Sequence, residues 1–215
     1  AFGAKNTGDI RRIVAGGIYI LVGAGLLVSL VGYVLAPGLL RLLRTPDSVL
    51  PDATVYLRLI CLGTVPVALY NGIASILRAM GDSRTSLYFL IAASLINVVL
   101  DLVFVLGSGL GVFGVGLATL ISQIASFVIS LVYALTRVSV FRLRREELKF
   151  DPETVKRALV LGIPVAAQTS IISVSTMVLQ GVVNGFGETV MAAYTVVDRV
   201  EQIVQQPYNS LSTAL

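Results

Sequence analysis

Five stretches of this chain, residues 13–35, 59–77, 87–106, 112–136 and 159–183, run for 19 to 25 residues with Asp101 as their only charged side chain. Crossing about 30 Å of hydrocarbon takes roughly 20 helical residues, so each run is long enough to span a bilayer. Lipid offers no partner to open backbone groups, which leaves helices or a closed barrel, and these runs are far too long for barrel strands. A sixth apolar stretch starts near Val190 and carries Asp198, Arg199 and Glu201. The pattern predicts an all-α integral membrane protein with six transmembrane helices. Only 13% of the residues are charged, against about 25% in ordinary soluble domains, so a soluble globule and a disordered chain are both excluded.

The residue types that are missing narrow the chemistry. There is no histidine and Cys61 is the single cysteine, which removes imidazole metal sites, catalytic triads, His-based proton relays and disulfides. Proton chemistry must therefore use carboxylates. No Walker motif is present and no Gly-x-Gly-x-x-Gly phosphate loop follows a predicted strand, so neither ATP drive nor a cofactor is expected. A secondary transporter, with a proton or a sodium ion as coupling species, is the class that remains.

The net charge of +4 is distributed unevenly. Twelve basic residues, Lys5, Arg11, Arg12, Arg78, Arg84 and seven between Arg137 and Arg157, fall on alternate connections, while the opposite connections hold only Arg41 and Arg44. By the positive-inside rule the twelve mark the cytoplasmic side of the cell membrane, with the N-terminal end inside. The cations thus address the lipid bilayer and not nucleic acid, and nothing calls for an obligate protein partner. Residues 1–12 are too polar for a signal peptide, and a chain that begins without methionine and stops within a helix reads as a segment of a longer protein. The long connection 137–157 divides it into 1–136, with four helices, and 158–215, with two. Asp151, Pro152 and Glu153 carry the marks of a helix start. Pro66, Pro164 and Pro207 fall within predicted helices.

An acid at membrane depth is a functional candidate by default. Asp101 follows Asn97 by four residues, so both project from one helix face. Counted at about 1.5 Å per residue, Asp101 and Thr119 both lie roughly 9 Å from the outer boundary, with Asn71 deeper and Tyr56 at the outer end of its helix. A carboxylate, two carboxamides and a hydroxyl can nest a hard monovalent cation such as Na+ at Asp101, Asn97, Asn71 and Thr119, or hold one exchangeable proton. Asn71, Asn97 and Thr119 also suit interhelical hydrogen bonding. Asp198, Glu201 and Gln202 form a polar stripe on the last helix, with Arg199 beside it and Gln168 on the helix before. A substrate-cavity lining and a structural ion-pair network both fit that stripe.

Four segments resemble a known family: Ala1-Phe2-Gly3-Ala4-Lys5, the turn Leu77-Arg78-Ala79-Met80-Gly81-Asp82-Ser83-Arg84, Gly162-Ile163-Pro164, and Ala192-Ala193-Tyr194 through Arg199-Val200-Glu201-Gln202. They are similar to the multidrug and toxic compound extrusion (MATE) transporters, over helices three to eight of that family's twelve. The resemblance implies two six-helix lobes around a central cavity, and export of cationic or amphipathic compounds in exchange for protons or sodium ions. In the DinF-like branch a cation site uses residues matching Asn71, Asn97, Asp101 and Thr119, with a tyrosine matching Tyr56. The branch also uses an acid on its first helix, which has no counterpart here, and Ile172 stands where NorM-like members carry an acid.

Two other readings are open. A lipid-linked oligosaccharide flippase has a related fold and would need cationic cavity side chains, for which Arg199 is the candidate. An intramembrane enzyme would need Asp101 close to Asp198 or Glu201. The implied lobes separate those carboxylates, so no enzymatic activity is expected.

Overall fold

The computed structural model describes residues 7–43, 45–141 and 151–214, and every regular element among them is helical. The order is α1 (Thr7–Leu42), α2 (Leu50–Leu62), α3 (Thr64–Ala79), α4 (Ser83–Asp101), a π-helical turn (Leu102–Gly107), α5 (Gly111–Arg137), a 3-10 turn (Ser139–Phe141), α6 (Pro152–Asn184) and α7 (Glu188–Ala214). Two compact units are distinguished, Ala1–Leu161 and Gly162–Leu215, the division falling inside α6. Lys5, Arg142, Arg144, Arg145, Lys149, the 1–5 motif and the middle of the 137–157 connection lie outside the described residues.

Among the described residues, length and apolarity alone qualify four to five of the six expected crossings. Ile13–Leu42, Ser83–Gly107, Gly111–Arg137 and Pro152–Val183 are long and apolar enough to cross, and α2 with α3 makes a fifth crossing if the pair, bent by 43°, is one span. The expected sixth, α7, is long enough at 27 residues but not apolar enough. Asp198, Arg199 and Glu201, with Gln202, Gln205, Gln206 and Asn209, outweigh its aliphatic residues. The result is a multi-pass, all-α membrane protein.

The second crossing also starts earlier than residue 59. Arg58 interrupts the apolar run, but its Nε donates to Tyr33 O at 3.3 Å and its guanidinium lies 5.0 Å from the Tyr33 ring centroid, so the charge is held locally and the helix extends back to Leu50. Gly63 then breaks the span. Pro66 belongs to the first turn of α3, where its missing N–H would have had no helical partner. It does not interrupt a helix, whereas Pro37, Pro164 and Pro207 do lie inside helices.

Packing in the first unit follows membrane rules, with lipid-facing aliphatics outside and small residues between helices. Leu87, Tyr88, Leu90, Leu95, Val98 and Val99 of α4 are exposed. The buried cluster comprises Val14, Ile73, Leu77, Phe89, Ala134, Val138, Val140 and Phe141. A Cβ on Gly32 would come 2.6 Å from Cys61 Sγ, and one on Gly72 would come 2.5 Å from Leu21 Cδ1, so these glycines let α1 approach α2 and α3. On α5, Ser122, Ser126 and Ser130 are buried and donate to Thr119 O, Ser122 O and Phe127 O of their own helix at 2.7 to 2.9 Å.

Helix starts bear out their sequence signals. Asp151 accepts from Glu153 N at 3.1 Å and from the Thr154 hydroxyl at 2.6 Å ahead of Pro152. Asp82 caps α4 by accepting from Thr85 N at 3.1 Å, and Tyr133 of α5 donates to its other oxygen at 3.4 Å. The Thr85 hydroxyl, then the Thr85 backbone N–H, and finally Tyr133 hold the Asp82 carboxyl below its usual value against partial desolvation. A depressed carboxyl stabilises the fold above the unfolded value near 3.9, and that contribution is lost as pH falls through the lower folded value. Asp82→Ala should therefore lower the thermal midpoint at neutral pH and flatten its dependence on pH below about 4. Melting curves of both proteins across that range check this.

The second unit contains the remainder of α6 and α7, joined through Gly185 and Phe186, which donate to Val182 O and Val183 O, and Gly187 with φ of 90°.

Candidate functional site

The register of α3 on α4 is fixed where Ser86 Oγ donates to Ala74 O at 3.1 Å. Gly63 lies eleven residues before Ala74 and Asn97 eleven residues after Ser86, so in this antiparallel pair both sit about 16 Å beyond that bond, at one level. Eleven residues is close to three whole turns, so Asn97 shares the face of Ser86, and Asp101 and Phe104 continue that stripe at spacings of four and three.

The α4–α5 register is set near the other end. A Cβ on Gly114 would meet Phe104 Cβ at 3.1 Å and Phe104 O at 3.2 Å. Asp101 is three residues from Phe104 and Thr119 five from Gly114, which places them within about 3 Å of each other in depth. A Cβ on Gly116 would meet Leu59 Cδ1 at 2.7 Å and Tyr56 Cδ2 at 3.4 Å, so Tyr56 packs on α5 one turn from Thr119. Asp101 and Thr119 thus form one layer, with Tyr56 about one turn to one side of it and Asn97 and Gly63 about one turn to the other.

Asp101 Oδ1 and Asn97 Nδ2 are buried and have no hydrogen-bond partner. A buried polar atom in this condition is costly and marks a place where a ligand would complete the set. Thr119 donates its hydroxyl to Val115 O at 2.9 Å, which leaves its lone pairs free to accept. Asn71 does not join this group. Its side chain is exposed, and it lies eight residues, about 12 Å, nearer the Arg78 end than Gly63.

A further residue belongs to the layer that sequence reasoning missed. Gln123, one turn beyond Thr119 on the same α5 face, has a buried Oε1 without a partner, and a Cβ built on Gly63 would fall on that oxygen. Its one signal was a carboxamide four residues after Thr119 in an apolar run.

The α7 stripe is an intrahelical ladder. Gln202 Nε2 donates to Asp198 Oδ2 at 2.7 Å, Arg199 Nη1 donates to Gln202 Oε1 at 3.3 Å, and Gln205 Nε2 donates to Glu201 Oε1 at 2.8 Å. Asp198 is half-buried, whereas Glu201, Gln202 and, on α6, Gln168 are exposed. The apolar cleft of about 580 Å³ between α1, α3 and α5, lined by Ile13, Ile18, Leu69, Ile73 and Phe127, offers no charged or carboxamide side chain and no chemistry.

The family profile described as MatE matches residues 1–103. The probable multidrug resistance protein YoeA of Bacillus subtilis (strain 168) is 32% identical over 222 aligned residues, covering 100% of this chain and 48% of YoeA. The first 103 residues match the MatE family. Another MatE-like relative, the probable multidrug resistance protein YpnP of the same organism, is 33% identical over 92% of this chain and 44% of its own length. A multidrug resistance MATE family transporter of the MOP superfamily, solved in an inward-facing conformation, aligns with TM-score 0.80 at 22% identity over 96% of this chain and 47% of its own. A MOP superfamily transporter from Pyrococcus furiosus aligns with TM-score 0.80 at 20% identity over 97% of this chain and 50% of its own. At these identities the structural likeness speaks for the fold. The chain spans about half the length of the curated relatives it matches.

Proposed function

We propose that this chain is part of a secondary active antiporter of the DinF-like branch, which exports cationic or amphipathic compounds in exchange for protons or sodium ions. The observation that carries the reading is the unpartnered, buried Asp101 carboxylate oxygen, one helical turn from the unpartnered Asn97 carboxamide nitrogen. MatE members are transporters and not enzymes, and an acid held inside a transporter bundle without a basic partner is suited to take up and release a coupling cation. Asp101, Asn97 and Thr119 supply the oxygens, and Tyr56 closes the layer on the α2 side. Asp198, Glu201, Gln202 and Gln168 contact the exported compound, their carboxylates matching a cationic substrate.

The test is transport by a full-length protein carrying this segment, reconstituted in liposomes with an imposed proton or sodium gradient and ethidium as substrate. Ethidium movement that follows neither gradient would sink the antiport reading. The end of the first unit that carries Arg11, Arg78, Arg84 and Arg137 faces the cytoplasm of the cell membrane. In a Cys61→Ala background, a membrane-impermeant thiol reagent applied outside cells should label Ser108→Cys and spare Arg84→Cys. The reverse pattern would invert the topology.

A further inference from the structure

We infer that Gln123 is an oxygen ligand of the Asp101 site and adapts it to a monovalent metal cation, sodium, in place of a bare proton. The inference rests on the reading of Asp101 as the coupling site and names its ion.

Three observations converge. Gln123 Oε1 is buried and has no partner, in common with Asp101 Oδ1 and Asn97 Nδ2 on the facing stripe of α4. All three are buried side-chain polar atoms without a partner. The register places Gln123, Gly63 and Asn97 at one level and Asp101 a turn away.

The second observation is the place where Gln123 ends. Its carboxamide oxygen occupies the space a side chain would fill at Gly63, where the second crossing breaks between α2 and α3. Ile60 O, 3.3 Å from that same point, already accepts from Gly63 N at 3.0 Å, so the Gln123 oxygen is the open acceptor there.

The third is chemical. The Gln123 carbonyl oxygen and the Asp101 carboxylate oxygen are both buried without a donor, and positive charge between them would satisfy both. A proton on Asp101 satisfies a single oxygen, whereas a hard cation replaces its hydration shell with several at once. A half-turn of the Asn97 carboxamide exchanges its nitrogen for its oxygen and adds one more, and Thr119 retains acceptor lone pairs. One carboxylate with neutral oxygens balances one positive charge. Interhelical bonding would account for Gln123 differently, by a hydrogen bond across to α2, and its buried oxygen has none.

The test measures equilibrium binding of radioactive sodium to the purified full-length protein carrying this segment, with gel filtration to report folding. The unmodified protein should bind sodium saturably, and Asp101→Asn should abolish binding. Gln123→Leu, close in volume but without the oxygen, should weaken sodium affinity on the order of tenfold. Gln123→Glu retains an oxygen there and should keep binding. Gly63→Ala leaves Gln123 intact but displaces its flexible end, and should weaken sodium affinity as Gln123→Leu does. Should Gln123→Leu fail to fold, Gly63→Ala decides. Unchanged affinity in Gln123→Leu or Gly63→Ala, with binding still lost in Asp101→Asn, overturns the role of Gln123 and leaves the coupling site standing. Absence of sodium binding by the unmodified protein, with proton coupling that depends on Asp101, also overturns it. Full sodium binding by Asp101→Asn overturns the coupling site itself.

Discussion

Asp101→Asn is expected to abolish gradient-driven efflux, by a factor on the order of a hundred or more, while the protein still folds and binds its drug substrate. The substitution preserves the shape of the side chain and removes only its charge. Folding should survive because the buried oxygen contributes no hydrogen bond that the amide would break, and because a neutral carboxamide is cheaper to bury than a carboxylate. Coupling should fail because an amide neither carries a proton nor neutralises a cation. Asn97→Ala and Thr119→Ala remove neutral groups and should weaken coupling less. Asp198→Asn, at the start of the α7 ladder, should alter substrate affinity and leave coupling in place. Counterflow compared with uphill transport in proteoliposomes separates the two classes. Uphill transport by Asp101→Asn with unchanged ion dependence would move the search to Asp198 and Glu201.

Gly114→Val should destabilise the first unit by about 3 kcal/mol, the upper end of the range for overpacking a close contact. The first added carbon alone would lie 3.0 Å from Leu110 Cβ, 3.1 Å from Phe104 Cβ and 3.2 Å from Phe104 O. None of these is the free end of a flexible side chain. Phe104 O also accepts from Leu110 N at 3.0 Å in closing the turn, so the backbone has no room to retreat without losing that bond. The displaced π-helical turn follows directly on Asp101, and sodium or proton coupling should decline with stability. Folded yield and thermal midpoint check the effect, with Gly114→Ala expected in between. A Gly114→Val protein of unchanged midpoint would mean that α4 and α5 are not held at this contact.

The membrane class was legible because bilayer thickness imposes a minimum length on uncharged runs, and the four-residue spacing of Asn97 and Asp101 was legible because it lies within one helix. Relations between helices were harder to read. Asn71 was placed by counting from Leu59 as though one straight helix began there, but the helix starts at Leu50, breaks at Gly63 and is registered by Ser86 on Ala74. Arg58 concealed that start, since composition treats a charge as an interruption while Tyr33 supplies it with a carbonyl and a ring. Gln123 is not distinguishable in sequence from ordinary interhelical glue. Its burial against Gly63, sixty residues away, is what singles it out. The charges of α7 were visible, yet their effect on its apolarity was underweighted because the residues around them are aliphatic.

The serine ladder of α5 bears on how such a chain is made. A helix whose hydroxyls need neighbours cannot be at ease in lipid until those neighbours arrive. Thr119, Ser122, Ser126, Ser130 and Thr136 all donate to carbonyls three or four residues back on α5 itself. Their polar hydrogens are therefore already spoken for when the helix leaves the ribosome and enters the bilayer. The helix can be released into lipid alone, as a finished strut with a narrow, smooth flank. The kinked α2–α3 segment, with Asn71 and the Gly63 break, would then settle against a surface that is already in place, and biogenesis would proceed by docking onto α5.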